Sequence, residues 1–145
     1  MDPFRVVRRD ESAARQEEAE TMWGGSERFH ESKRRTSRYT PADWAMIRVE
    51  GRMILETLAA VFREGVPADD PRAIAIAERH RAHIDRWYYP CDRQVHWGLS
   101  SLYTSDPRFA ASFEQQAPGL AEYFARAIAA NAATSPRPDR TRERW

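Results

Sequence analysis

The stretch AIAIAERHRAHIDRWYYPC, residues 73–91, decides the fold. Many of its residues recur at steps of three and four, which places them on two stripes of an α-helix. The first stripe consists of Ala73, Ile76, His80, His83 and Trp87, and the second of Ile74, Ala77, Ile84 and Tyr88. The helix should open near Asp69-Asp70-Pro71 and end before Pro90, which has no amide hydrogen to continue it.

Helix signals also flank this stretch on both sides. Upstream, Thr40 can cap a helix that has Pro41 in its first turn and ends at Gly65. Downstream, the starts of three more helices are marked by Asp92, by Ser105-Asp106-Pro107 and by Pro118-Gly119. Because no segment alternates apolar and polar residues as strands do, the sequence predicts an all-α fold of about five core helices.

The two ends of the chain differ from this helical part. Residues 1–39 are polar and charged, and residues 26–40 carry Phe29 and Tyr39 as isolated aromatics, so we expect a mobile arm there. Residues 40–133 form the expected helical core. Residues 134–145 combine prolines with charges and are expected to be a disordered tail.

Length and charge restrict the classes of function. A chain of 145 residues is expected to form one domain, and its single cysteine, Cys91, has no partner for an internal disulfide. The net charge of +1 gives no field that attracts nucleic acid or an anionic membrane, so we expect no direct DNA binding by this chain. No apolar run approaches the ~20 residues that span a bilayer, and the N-terminus lacks a signal-peptide core, so we expect a cytoplasmic protein.

The stripe that carries His80, His83 and Trp87 is the first candidate for a binding surface. A surface helix needs only about 100° of apolar face to attach to a core. The stripe that contains Ile74, together with Ile76, already meets that need. We therefore expect the two imidazoles and the indole to face a cavity. The alternative is that they are half-exposed residues at the edge of the core.

Aromatic residues are dense at the end of this helix and just after it. Five of them fall within residues 87–103, together with Cys91 and His96: Trp87, Tyr88, Tyr89, Trp97 and Tyr103. Aromatic rings give a large contact area with few rotors to freeze, and the polar tips of Tyr and Trp orient a ligand. The cluster therefore suits a flat heteroaromatic ligand, with a core of packed helices as the alternative.

The same residues also raise the question of reactive chemistry. The step from His80 to His83 places two imidazoles on adjacent turns, but without a paired CxxC or HExxH motif it is a weak metal signal. A nucleophile pair of Cys91 with His83 or His96 lacks a recognisable oxyanion loop. Cys91 is either a stoichiometric nucleophile, if Arg93 or the next helix start favours its thiolate, or a buried inert thiol. We predict no cofactor, no metal site and no catalysis.

Five motifs in a fixed order, within residues 23–132, resemble one family. They are WGGSERFHES, RRTSRYTPADW, AERHRAHIDRWYYPC, HWGLSSLYTSDPRF and PGLAEYFARAIAANA. In this order they resemble the TipAS antibiotic-recognition domain, the effector half of some MerR-type transcription activators, which is also found in free-standing drug-binding proteins. The resemblance implies an all-helical, globin-like fold without haem, whose N-terminal part orders over a ligand such as a thiopeptide.

The resemblance also implies site residues. The motif that lines the cleft of the family corresponds here to residues 80–89. The cysteine through which family members attach thiopeptides, by way of a dehydroalanine of the drug, corresponds to Cys91. Taken with the patterns above, the predicted ligand contacts are Trp44, His80, His83, Trp87, Tyr88, Cys91, His96, Tyr103 and Phe109. The predicted lid residues are Trp23, Phe29 and Tyr39.

These expectations lead to three functional hypotheses. In the first, the chain binds a peptide-derived antibiotic, thiopeptide-like or oligo-aromatic, and gives resistance by sequestering it. In the second, it is an excised effector domain of a MerR-type activator that senses such drugs, because the winged helix-turn-helix and the dimerising helix of those activators are not in this sequence. The third hypothesis is a haem-binding or metal-binding protein. The identity of the drug and the oligomeric state stay open.

Overall fold

The computed structural model describes residues 27–134, which form six α-helices and no strand. In chain order the helices are α1 (Glu27–Thr36), α2 (Pro41–Arg63), α3 (Pro71–Trp87), α4 (Arg93–Ser105), α5 (Pro107–Glu114) and α6 (Leu120–Thr134). The predicted all-α fold is confirmed. Helices α2 to α6 correspond to the five core helices expected from the sequence.

Local capping explains where the core helices begin. At α2 the Asp43 amide donates to Thr40 Oγ1 at 3.2 Å, and the Thr40 amide donates to Asp43 Oδ2 at 2.9 Å, which is a capping box. Asp70, Asp92 and Asp106 cap α3, α4 and α5, each with a side chain that accepts an amide of the first turn. These caps coincide with the helix starts predicted from the sequence.

The main hydrophobic core lies between α2, α3, α5 and α6, and α4 contributes Tyr103 to it. Its large buried side chains include Leu58, Tyr103, Phe109, Phe113, Phe124 and Ile128. The rings of Tyr103 and Phe124 are stacked, with centroids 6.2 Å apart. Gly65 adopts the left-handed conformation that ends α2, with φ of 81°. The Tyr123 hydroxyl then donates to the Val66 carbonyl at 2.7 Å, which fixes this loop against α6.

A smaller hydrophobic cluster lies at the C-terminal end of α3. Its buried members are Ile47, Ile84, Trp87, Tyr88, Tyr89 and Cys91, and Tyr39, Trp44, Val95 and Leu99 pack against them partly buried. The cluster joins α2, the end of α3 and the start of α4. It therefore fixes the position of residues 87–91, which the sequence analysis selected for function.

Helix α1 is an element that the sequence analysis did not predict. We expected order to begin at Thr40, whereas Glu27–Thr36 is helical and buries Phe29 and Ser32. Its charges suit a helix, because Glu27 lies in the first turn and three basic residues lie in the last turn, where the helix dipole favours them. Helical structure therefore begins one helix earlier than we expected, and the mobile arm of residues 1–39 stays a prediction.

Hydrogen bonds to the end of α3 hold α1 in place. Arg35 Nη1 donates to the Asp85 carbonyl at 2.7 Å, and the Tyr39 hydroxyl donates to the Trp87 carbonyl. The last carbonyls of a helix have no partner within the helix and carry partial negative charge, so a guanidinium and a hydroxyl are suitable donors. Because these acceptors are distant in the sequence, residues 27–39 by themselves do not reveal the contacts that hold α1.

Two expectations fall outside residues 27–134. The predicted lid residue Trp23 lies before the described residues, and the predicted tail lies after them except for Thr134, which is the last residue of α6. Among the described helices, none is both long enough and apolar enough to cross a membrane.

Candidate functional site

A carboxylate of α2 organises the last turns of α3. The Trp87 indole donates through Nε1 to Glu50 Oε1 at 2.8 Å, and His83 Nδ1 lies 2.9 Å from the same oxygen. Burial by itself would raise the pKa of Glu50, but the hydrogen bonds from Trp87 and His83 outweigh it and lower this pKa below 4.5. Glu50 is therefore an ionised acceptor that fixes both side chains.

Aromatic rings surround the end of α3. The Tyr39 ring meets the rings of Trp44 and Trp87 edge to face, with centroids 5.6 and 5.5 Å apart. The Arg86 guanidinium lies over the Trp87 ring, 4.5 Å from its centroid. The structure thus brings together three predicted site residues, Trp44, Trp87 and the lid residue Tyr39.

The α3 stripe that we expected to face a cavity is buried in this structure. Exposure is 0% for His80, 4% for His83 and 6% for Trp87, so all three are buried. The His80 ring packs against Phe124 of α6, with centroids 5.1 Å apart. Helix α6 therefore covers the stripe at His80, and contact of these side chains with a ligand stays a prediction.

His80 and His96 form a pair inside the core. Their Nδ1 and Nε2 atoms lie 2.8 Å apart, so one imidazole donates to the other. Burial lowers the pKa of His80 well below 6.5 and lowers the pKa of His96 to about 3. Two other predicted ligand contacts, Tyr103 and Phe109, are also fully buried core residues. These four side chains pack the interior in this structure, and a contact with ligand stays a prediction for them.

Cys91 is a buried thiol with 1% of its surface exposed. Its amide donates to Asp85 Oδ1 at 2.8 Å, and Arg81 Nη1 donates to its carbonyl at 2.6 Å, so the backbone is fixed from both sides. Burial raises the pKa of the thiol to about 12. Arg93 does not favour a thiolate, because its Nε donates to Glu78 Oε1 at 3.1 Å. The sequence left two interpretations of Cys91 open, a stoichiometric nucleophile or a buried thiol, and in the structure the thiol is buried.

A cleft of about 550 Å³ lies between α1 and the segment that follows α3. Its lining residues are Glu27, Arg28, Glu31 and Arg34 of α1, with Pro90 and Val95 opposite them. Pro90 directly precedes Cys91. The cleft therefore has a charged wall with two residues of each sign, an apolar wall, and the predicted attachment residue behind the apolar wall.

Sequence reasoning missed Glu50 and the α1 residues that line the cleft. For α1, the available signal was the spacing of Glu31 and Arg35, which places an ion pair on neighbouring turns at 2.6 Å. For Glu50, the signal was its position three residues after Ile47 and four before Ile54, which places a charged residue on the buried face of α2. Among the described residues, no three His, Cys, Asp or Glu side chains are grouped so that they could hold a metal ion.

Known proteins share this sequence pattern. The model of the TipAS antibiotic-recognition domain matches residues 16–131. The HTH-type transcriptional activator TipA of Streptomyces coelicolor is 38% identical over 117 residues, which cover 81% of this chain and 46% of TipA. The HTH-type transcriptional activator mta of Bacillus subtilis is 35% identical over 104 residues, which cover 72% of this chain and 40% of mta. The chain thus spans less than half the length of these relatives.

Two solved structures share the fold. TipAS of Streptomyces lividans in complex with nosiheptide, from a thiopeptide antibiotic multidrug resistance system, matches with a TM-score of 0.81 and 34% identity over 93% of this chain and 92% of that chain. The antibiotic binding domain of a TipA-class multidrug resistance transcriptional regulator matches with a TM-score of 0.57 and 36% identity over 62% of this chain and 96% of that chain. With the family model matching most of its residues, this chain belongs to the TipAS antibiotic-recognition domain family.

Proposed function

We propose that this chain binds a bulky peptide-derived antibiotic, thiopeptide-like or oligo-aromatic, and holds it without catalysis, which gives drug sequestration or resistance. The observation that carries the proposal is the cleft between α1 and the segment after α3. Its volume of about 550 Å³ lies within the range of small-molecule sites. Nosiheptide bound to TipAS, whose chain matches this one over 92% of its length, supports a ligand of this class.

The walls of the cleft suit a ligand that is large, largely apolar and rich in amides. Pro90 and Val95 give apolar contacts, and the arginines and glutamates of α1 give donors and acceptors around them. Tyr39, Trp44 and Trp87 lie in the cluster that Val95 packs against, and we propose that a drug reaching past Val95 meets these rings.

We also propose that residues 1–39 act as a lid that orders over the drug, with Trp23, Phe29 and Tyr39 as its aromatic residues. Helix α1 supplies one whole wall of the cleft, so a ligand there would contact the arm directly. Ordering a segment costs conformational entropy, and the contacts that the segment makes with the ligand offset this cost.

A thioether at Cys91 is the proposed consequence of binding a thiopeptide. The Cys91 Sγ would bond to the β-carbon of a dehydroalanine, the carbon–carbon double bond would become single, and the thiol proton would end on the α-carbon. Because the thiol is buried behind Pro90, the adduct requires the 88–92 segment to move. Mass spectrometry after incubation with nosiheptide is expected to find the adduct in the parent chain, and a Cys91→Ser variant is expected to bind nosiheptide without forming it.

Calorimetric titration of the full chain with nosiheptide tests the function itself. Val95→Trp fills the apolar wall of the cleft and is expected to weaken binding by tenfold or more, because the ring takes volume that the drug needs. Ser101→Trp places the same ring on an exposed position of the same helix and is expected to leave the affinity unchanged. Absence of binding by the parent chain to thiopeptides and to oligo-aromatic peptides would refute the proposal.

A second function is favoured by one observation: the chain corresponds to 46% of TipA, a transcriptional activator. As the effector part of such a regulator, it would pass ligand-induced ordering to a DNA-binding partner. Two experiments in cells distinguish sequestration from regulation. Sequestration predicts that drug tolerance rises in proportion to expression of this chain, whereas regulation predicts drug-dependent transcription from a reporter only when a helix-turn-helix is joined in frame.

We place the protein among binders and not among enzymes, and in the cytoplasm, where transcriptional activators such as its relatives act. The assignment as a binder is supported by the side chains that would serve a reaction. The Cys91 thiol has a raised pKa, and the imidazoles of His80 and His96 are buried, which suits neither a nucleophile nor a base that exchanges protons with solvent.

A further inference from the structure

The imidazole of His83 is held by one ring nitrogen only. Its Nδ1 lies 2.9 Å from Glu50 Oε1, and the Trp87 indole donates to that same oxygen at 2.8 Å. Arg86 Nη1 approaches the other carboxylate oxygen at 3.5 Å. Only 2% of the His83 side chain is exposed, so the ring cannot turn over without breaking this contact.

This contact decides which nitrogen of His83 carries the proton. The Glu50 carboxylate is ionised, because its hydrogen bonds lower its pKa, and an ionised carboxylate only accepts. His83 Nδ1 must therefore donate. Burial lowers the pKa of His83, so the ring is neutral near pH 7 and its second nitrogen, Nε2, has a free lone pair.

The Nε2 atom of His83 is buried and has no hydrogen-bond partner in the described part of the chain. A buried acceptor without a donor costs roughly 1–3 kcal/mol, so such atoms are rare in the interior of a folded protein. Where one is retained, a water molecule or a group of a ligand can supply the missing partner. His83 lies one turn before Trp87 on α3, and its ring centroid is 6.3 Å from that of Tyr88. Trp87 and Tyr88 belong to the cluster that Val95 of the cleft packs against.

We propose that Glu50 is a positioning residue that holds His83 with its proton on Nδ1, so that Nε2 accepts a hydrogen bond from an N–H or O–H group of the bound ligand. The inference rests on the proposed function for its ligand and on the geometry of Glu50 for its tautomer. A peptide amide or a ring hydroxyl is the chemical class that fits, since a donor is needed and a second acceptor would be repelled.

Nitrogen-15 NMR of the histidine side chains in the full, ligand-free chain tests the tautomer. In the parent protein, His83 is expected to be protonated on Nδ1 and unprotonated on Nε2. Glu50→Ala is expected to raise the share of the other tautomer several-fold, whereas Glu50→Gln keeps a carbonyl oxygen at that place and is expected to keep the parent tautomer. Glu56→Ala, an exposed position of the same helix, is the control. A parent protein with its proton on Nε2 would overturn the proposal.

Addition of nosiheptide tests the acceptor. The Nε2 resonance of His83 is expected to shift on binding. The Glu50→Ala variant is expected to bind nosiheptide roughly tenfold more weakly, because a tenfold loss of affinity corresponds to the free energy of about one hydrogen bond. If nosiheptide binds and the Nε2 resonance stays where it was, the inference fails and the proposed function stands. If nosiheptide does not bind the parent chain, the proposed function fails together with the ligand contact, while the ligand-free spectrum still decides the role of Glu50.

Discussion

Two imidazoles lie in the centre of the protein, where neither can gain a proton without penalty. His80 and His96 are fully buried, and their facing nitrogens are 2.8 Å apart. Rings such as Phe124 surround the pair, so a positive charge there would be removed from water, and the pKa of His96 stays low although the Glu78 carboxylate favours its charge. At the residue scale, the core therefore requires both imidazoles to be neutral.

Stability is expected to fall as the pH drops below about 6.5. Burial keeps the pKa of His80 below 6.5 and that of His96 at about 3 in the folded state. In the unfolded chain these groups titrate near 6.5, so below that pH the unfolded state binds more protons. The pair should lose roughly 3 kcal/mol of stability between pH 6.5 and pH 5. Urea denaturation at several pH values measures this slope.

The variant His80→Leu/His96→Leu removes both groups and should flatten most of the slope, with the remainder coming from His83, whose pKa burial also lowers. His30, which is exposed, is the matched control, and His30→Leu should leave the slope unchanged. The carboxylate of Glu78, whose pKa is about 2, loses its contribution to stability only below pH 4.5, which lies outside the range from pH 6.5 to pH 5. An equally steep slope in the double variant would show that the pair is not the cause.

Cys91 is expected to react slowly while the protein is folded. Burial raises its pKa to about 12, so little thiolate forms at pH 8, and the 1% exposure also limits access. Iodoacetamide should modify the native protein about a hundredfold more slowly than the protein unfolded in urea. Because the sequence contains one cysteine, intact-mass spectrometry reports this site directly. Equal rates in the two states would contradict the buried position.

At the scale of elements, α1 depends on one arginine that its neighbour cannot replace. Arg35 and Arg34 both pair with Glu31 inside α1, but Arg35 also donates to the Asp85 carbonyl at 2.7 Å. Arg35→Gln is therefore expected to speed hydrogen exchange of the α1 amides by about tenfold, the effect of one lost charged hydrogen bond. Arg34→Gln loses only the pair within α1 and is the control. Equal hydrogen-exchange rates of the α1 amides in the two variants would mean that the contact with α3 does not hold α1.

The helix starts could be predicted from the sequence because their causes are local. The capping residue and the amide that it binds are two or three positions apart, as at Thr40 and Asp92, so a short stretch contains the whole interaction. The start of α1 could not be predicted in this way. Its stabilising partners are carbonyls at the end of α3, 50 positions away from Arg35.

The sequence placed the predicted contacts on α3 and after it, but the residues that line the cleft, such as Arg28 and Val95, were not among them. Helical spacing correctly placed His80, His83 and Trp87 on one face of α3, because 3.6 residues per turn leave no other arrangement. Whether that face meets a cavity depends on α6, and no local pattern states that Phe124 packs against it. The same limit applies to Glu50, whose partners lie on another helix.

At the scale of the whole molecule, Glu78 connects helices that the sequence keeps apart. Its Oε1 accepts from Arg81 on α3, from Arg93 on α4 and from Asn131 on α6, at 3.0, 3.1 and 3.0 Å. The hydrogen bond from Arg81 is the largest of the effects that lower the pKa of Glu78 to about 2. Since Arg81 also donates to the Cys91 carbonyl at 2.6 Å, the carboxylate links the core to the segment behind the cleft.

Removal of this carboxylate is expected to weaken the whole fold. Glu78→Ala leaves two partly buried guanidinium groups and an amide without their acceptor, and should lower the free energy of unfolding by about 2 kcal/mol. Glu122→Ala is the matched control, because Glu122 pairs with Arg126 at 3.4 Å with both side chains about two thirds exposed, and such pairs contribute less than about 0.5 kcal/mol. Urea denaturation at pH 7 compares the two variants. Equal losses of stability would mean that Glu78 acts as an ordinary surface charge, and that α3, α4 and α6 are held together by their apolar contacts alone.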